Sequence, residues 1–310
     1  MNDKKEQVFE NNPYWEEQDK NSRQVNEKPA DADIKQADST DKSPKVAVPV
    51  EEDDLDSNPS LDEPLPQVEV RKEDDAITFV VNGEAFKMIK VEGGTFTMGQ
   101  QDEDKKTLSF TDEKPAHQVT LDTFYIADVT VTQELWKAVY PTADISQKKG
   151  REHLPKVKIS WYDCRRFAQR LSKATGYNFR MPTEAEWEFA AKGGVKSKNY
   201  KFAGTNSLSF VAWYNTGNKP IQPVKKLKTN ELGLYDMSGN IYEWCADWYD
   251  KDYYASSPQH NPQGPEEGQY KVIRGGSVYS TAESCRTSMR MRHDPKLREA
   301  GVGLRLVLDC

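Results

Sequence analysis

The sequence predicts a single compact α+β domain with little regular secondary structure, spanning residues 76–310 and preceded by a disordered acidic tail over residues 1–75. Three observations carry this. Charge is divided: residues 1–75 hold 22 Asp/Glu against 10 Lys/Arg, a net of −12, while the rest of the 310-residue chain nets +5. The second part opens with β-branched and aromatic runs around turn residues, followed by three well-started helices. Beyond residue 195 the apolar period fades into a stretch dense in Gly, Asn, Asp, Trp and Tyr.

In chain order, the tail comes first. Its Glu51-Glu52-Asp53-Asp54 run and its Pro59, Pro64 and Pro66 leave too little apolar area to offset the entropy of ordering. Its aromatics are Phe9, Tyr14 and Trp15, so Asn12-Pro13-Tyr14-Trp15 reads either as plain tether or as a short docking motif. Order begins near Ala76. Ile77 to Val81 suits a strand, Asn82-Gly83 a type I′ turn, and Ala85 to Ile89 the returning strand. Gly93 to Gly99 reads as a short strand between glycine turns, and Val119 to Ile126 as another.

Each helix has a start signal. Thr132 caps a short one that buries Leu135, Trp136 and Val139. Ser160-Trp161-Tyr162-Asp163 is a capping-box pattern, with Cys164, Phe167, Ala168 and Leu171 on one face and Gly176 as the stop. Thr183-Glu184-Ala185-Glu186 is a second such box, ahead of Trp187, Ala190 and Ala191 and the Gly193-Gly194 end. These helices read as structural.

Several function classes are excluded. An acidic balance lacks the Lys/Arg clusters that neutralise phosphate, so nucleic acid is not an expected partner. No apolar run reaches the roughly 20 residues of a membrane span. Met1-Asn2-Asp3-Lys4-Lys5-Glu6 has no apolar leader, which implies the cytoplasm if Met1 is the native start. Cys164, Cys245, Cys285 and Cys310, like His117, His153, His260 and His293, are too scattered for a zinc or disulfide framework. Phosphate-loop, nucleophile-elbow and His-Glu-x-x-His motifs are missing.

Two constellations carry possible chemistry. In Gly233 to Trp244, Asp236 and Glu243 offer hard oxygens and Gly239 a sharp turn, as a calcium loop requires; equally, Asp236 suits a turn and Glu243 an arginine partner. The second is Arg274-Gly275-Gly276-Ser277, followed by Cys285, Arg286, Arg290, Arg292 and Arg305. Arginines around Cys285 would depress its pKa and make it reactive. Alternatively they knit loops together while Cys285 packs as a small hydrophobe.

Taken together, Val91 to Gly99, Val129-Thr130-Val131-Thr132, Arg180 to Glu188, Gly233 to Trp244, Arg274 to Ser277 and Gly303-Leu304-Arg305 resemble, in order, the formylglycine-generating enzymes, or sulfatase-modifying factors. The resemblance spans roughly residues 86–308 and implies a C-type-lectin-like α+β fold. It implies an oxygen-dependent oxidation of a sulfatase cysteine to formylglycine, with Cu(I) held by two cysteines. One of these falls on Cys285; the other falls on Ser280, and the motif serine on Ser277. Cu(I) selects soft thiolates, so one sulfur cannot supply the linear two-sulfur site. The resemblance also implies a Ca²⁺ site at Asp236, Gly239, Ile241 and Glu243. Other family branches bind iron through grouped histidines, absent here, or are non-catalytic binding modules, including the target proteins of diversity-generating retroelements. The expectation is a non-catalytic scaffold binding a protein or small ligand through loops around 278–300. The alternative is a copper oxidase using Cys285 with an unidentified second ligand.

Overall fold

The computed structural model describes residues 64–100, 111–143, 153–217 and 220–310. The Asn12 to Trp15 motif and most of the acidic tail lie outside them. Ordered structure starts earlier than expected, because β1 (Val68–Glu73) pairs antiparallel with β2 (Ala76–Val81). The charged Glu69, Arg71, Lys72 and Glu73 that read as tail form an exposed sheet edge, where charge blunts pairing with other chains.

Asn82 and Gly83 both have positive φ (45° and 86°), which closes the tight turn into β3 (Glu84–Val91). After β4 (Gly94–Met98), the single strand expected over Val119 to Ile126 is two: β5 (His117–Leu121) and β6 (Phe124–Ala127). The break has a clear cause. The Gly93 amide donates to Thr123 Oγ1, and the Asp122 amide to Asn261 Oδ1. β5 therefore pairs with β4 while β6 turns away to join β3.

Three helices follow as their caps dictate. Thr132 Oγ1 accepts the Leu135 amide to start α1 (Gln133–Val139). Complete capping boxes at Ser160/Asp163 and Thr183/Glu186 start α2 (Trp161–Thr175) and α3 (Glu184–Ala191), separated by β7 (Phe179–Arg180). Gly176 stops α2 in the left-handed conformation.

The irregular C-terminal third supplies β8 (Tyr242–Trp248), β9 (Lys271–Arg274), β10 (Met291–His293), β11 (Val302–Gly303) and β12 (Val307–Asp309). They build a four-stranded sheet, β10-β9-β8-β11, while β12 enters the large sheet β1-β2-β3-β6-β12-β7 between β6 and β7. One apolar cluster gathers Phe79, Met88, Trp136, Phe167 and Trp244, and a second gathers Trp187, Phe189, Ile126 and Val307. Among the described residues no helix is long and apolar enough to cross a membrane.

Candidate functional site

The site is built where β9 ends. Gly275 and Gly276 take φ values of 98° and 78°, and a Cβ on Gly276 would lie 2.7 Å from Cys285 Sγ. Only glycine lets the chain pass so close to that sulfur. The loop then folds back: the Ser277 amide donates to Ser280 Oγ at 2.9 Å, and the Ser280 amide to the Ser277 carbonyl. Ser277 Oγ sits 3.2 Å from Ser280 Oγ, which donates to the Tyr242 hydroxyl at 3.1 Å. Tyr242 is raised to about 12 by burial, offset in part by hydrogen bonds from Ser280 and Ser284, while the nearby Cys285 pushes the same way as burial. Ser277, Ser280 and Cys285 are thus brought together, and Tyr242 and Ser284, unanticipated from sequence, complete a nest of hydroxyls.

Cys285 closes a helical turn, Glu283–Cys285, and is fully buried against Phe202, Leu208, Val211 and Ala212. Burial lifts its pKa to about 12, with only the Gly239 amide pulling the other way. At neutral pH it therefore carries its proton. The reactive thiolate that surrounding arginines would have favoured is not formed: burial dominates at the sulfur, and Arg274, Arg286, Arg290 and Arg305 are each paired with a glutamate.

Those commitments form a pattern. Arg286 grips Glu113 through both terminal nitrogens, at 2.7 and 2.6 Å. Arg290 forks onto Glu184 at 2.7 and 2.8 Å, Arg274 pairs with Glu188, and Arg305 forks onto Glu243 at 2.9 and 2.8 Å. All eight residues are buried. Further guanidinium donors reach loop carbonyls: Asp112 and Asp250 from Arg290, Thr287 and Met289 from Arg274, Ala127 and Tyr235 from Arg305, while Arg274 Nε and Arg286 Nε have no hydrogen-bond partner. Burial alone would raise Glu188, but Lys192 and Arg274 hold it below the usual carboxylate range. Sequence reasoning missed α3 as the source of two of these four glutamates, since Glu on a helix ordinarily marks a solvated face. The available signal was the spacing itself: Glu184 and Glu188, four residues apart, share one face and Glu186 the opposite one, so no single solvated face can hold all three on a helix also carrying Trp187 and Phe189.

Neither metal expected from the resemblance is fitted by this arrangement. For copper there is one sulfur, protonated, with hydroxyls already bonded to one another at the second position. For calcium, Asp236 (φ 57°), Gly239 and Ile241 lie on the loop before Glu243, and Asp236 Oδ2 accepts the Lys225 amide at 3.1 Å. Burial raises Asp236 to about 6; the Lys225 amide and Arg305 lower it, and Glu243 raises it further. Glu243, however, accepts from both Arg305 nitrogens and from Trp187 Nε1 at 2.7 Å. That uses three of a carboxylate's roughly four lone-pair sites and places a guanidinium charge where a cation would sit. Its observed role is the arginine partner.

Comparison with known proteins agrees with this architecture. A family model for the sulfatase-modifying factor enzyme 1-like domain matches residues 76–310. The serine/threonine-protein kinase pkn1 of Chlamydia caviae is 31% identical over 245 residues, 71% of this chain and 37% of that protein. The chain thus spans little more than a third of that relative. A formylglycine-generating enzyme of Streptomyces coelicolor is 32% identical over 186 residues, 55% of this chain and 57% of the enzyme. Among solved structures, Treponema denticola variable protein 1 superposes with a TM-score of 0.67 at 28% identity, covering 75% of this chain and 98% of its own.

Proposed function

The chain belongs to the sulfatase-modifying factor family, and from that premise we propose that it is a non-catalytic member, a scaffold that binds a protein or small ligand through the loops between Val278 and Ala300. The observation carrying this is the single, buried, protonated sulfur at Cys285, while the hydroxyl of Ser280 is taken up by Ser277 and Tyr242. Copper chemistry of the family's kind needs a second soft donor, and a serine hydroxyl is hard and weakly acidic.

The loops themselves support a binding role. They are pinned by Arg286–Glu113, Arg290–Glu184 and Arg298–Asp163, so their backbone is held with no more regular structure than β10 and the Glu283–Cys285 turn. At their rim Tyr279 is 48% exposed and Leu297 37%, large apolar groups of the type that anchors interfaces. The kinase relative aligns over a minor part of its length, so its named activity is not carried over.

The test is direct. Purified protein is incubated with Cu(I), oxygen and a peptide bearing the family's Cys-x-Pro-x-Arg target, and the formylglycine mass is sought. The expected result is unmodified peptide. Formylglycine that disappears in Cys285→Ala would restore the copper-oxidase reading.

A further inference from the structure

One stretch of the chain carries charge of a single sign. Residues 189–230 hold eight lysines and no aspartate, glutamate or arginine, in a protein whose overall charge is −7. The fold gathers this stretch instead of spreading it. Asn230 donates through Nδ2 to the Ala190 and Ala191 carbonyls at the end of α3, which ties the loop carrying Lys226 and Lys228 to the root of the loop carrying Lys196 and Lys198. The Lys228 amide donates to the Phe210 carbonyl at 3.0 Å, and Gly204 runs against Thr229, where a Cβ would lie 2.8 Å from the carbonyl oxygen.

Three of the lysines meet carboxylates: Lys192 meets Glu188, Lys201 meets Glu283 and Lys225 meets Asp128. Lys219 lies outside the described residues. Lys196, Lys198, Lys226 and Lys228 are exposed and, among the described residues, have no carboxylate partner. A second, independent observation falls in the same stretch. The two most exposed large apolar side chains among the described residues are Val195, 54% exposed and directly before Lys196, and Phe210, 53% exposed with Lys228 Nζ 5.0 Å from its ring centre.

The type of cation narrows the partner. The forked grips on buried Glu113, Glu184 and Glu243 are all made by arginine, whose planar donors match a single carboxylate by geometry. Lysines are compact, strongly hydrated point charges on flexible stems, suited to a diffuse anionic surface rather than to one defined acidic group. Exposed apolar groups set among such lysines have the composition of a segment that rests on a charged bilayer.

We propose that Lys196, Lys198, Lys226 and Lys228, with Val195 and Phe210, form a face that docks the protein on an anionic lipid surface, the ammonium groups among the headgroups and the Phe210 ring at the boundary with the acyl chains. The protein lies on the bilayer without spanning it. Because the net charge of the chain is negative, attraction to such a surface is local to this face. The contact takes no residue from the loops between Val278 and Ala300, so its failure leaves the scaffold reading standing.

The test is flotation of the 310-residue protein with vesicles of phosphatidylcholine alone and of phosphatidylcholine mixed with phosphatidylglycerol, at about 0.1 M salt, where charges act over roughly 10 Å. The protein should float with the mixed vesicles and not with the neutral ones. It should be released at about 1 M salt, where that reach shrinks to roughly 3 Å. Lys226→Gln with Lys228→Gln should weaken partition roughly twenty-five-fold, about fivefold for each lysine taken from an anionic surface, and Lys196→Gln with Lys198→Gln should do the same. Phe210→Ser should weaken it severalfold while leaving its salt dependence unchanged, the mark of an inserted apolar group. Lys137→Gln with Lys173→Gln, which removes equal charge from exposed positions on α1 and α2, should have no effect. All the substituted side chains are exposed, so the variants keep the fold, as circular dichroism checks. Absence of flotation with the mixed vesicles overturns the proposal, and so does an equal loss in the Lys137 and Lys173 control. Binding of poly-glutamate or duplex DNA as tight as that of the vesicles, and indifferent to Phe210→Ser, also overturns it, since the face is then a general polyanion site.

Discussion

At the scale of single residues, the molecule is organised by which glutamate each buried arginine takes. Glu243 shows the consequence. Bound to Arg305 and Trp187, it serves as the counter-charge of a buried cation. Removing it in Glu243→Ala strands a guanidinium that is 0% exposed, and should cost about 3–5 kcal/mol in urea unfolding, the usual cost of breaking a buried pair. Replacing both partners, as Glu243→Leu with Arg305→Met, should cost much less than the sum of the two single changes. If Glu243 is the arginine partner alone, adding EDTA leaves the Tm of the wild-type protein unchanged; a fall reversed by Ca²⁺ would show that the cation displaces Arg305. That Ser277, Ser280 and Cys285 share the stretch after the paired glycines was legible in the sequence because a motif sets their positions. The identity of each arginine's partner was not. Glu113 and Arg286 stand 173 residues apart, and no local spacing encodes such a choice.

Among the elements, legibility followed the range of the forces involved. Capping boxes act across three residues, and both were readable at Ser160 and Thr183. Ser160→Ala and Thr183→Ala should each lower stability by about 1 kcal/mol. Thr183→Ala carries the further expectation of loosening Arg180, since Glu186 both completes the cap and accepts Arg180 at 2.7 Å through each oxygen. Differential hydrogen exchange over α3 would report the first effect, and over β7 the second. The strands after residue 195 were not readable. β8 is buried at most of its positions, so no alternation marks it, and β9, β10 and β11 have four residues or fewer. Their pairing is imposed by the large-scale packing around them. The split between β5 and β6 was hidden for the same reason: it depends on Asn261, 139 residues away from Asp122.

For the molecule as a whole, the division of charge and the α+β class were legible from composition and order of elements, while the pH response was not. Asp247 accepts the Glu184 amide at 2.8 Å and lies wholly inside the fold. Burial, and after it the Glu184 carboxylate, raise it from 3.8 to about 7. Folding therefore takes up a proton between about pH 4 and pH 7, where the unfolded chain has released it. The stability this group contributes is complete below pH 4 and disappears as pH climbs through 7. Urea midpoints measured across that interval should fall for wild type relative to Asp247→Asn, with parallel curves counting against it. The placement of β12 carries a last consequence. The strand furthest along the described chain is not an edge but the fifth in order of the six-stranded sheet, flanked on both sides, by β6 and β7. Until residues 307–309 have left the ribosome, nothing joins β7 to β6, so that side of the sheet is completed only by a contact long in sequence.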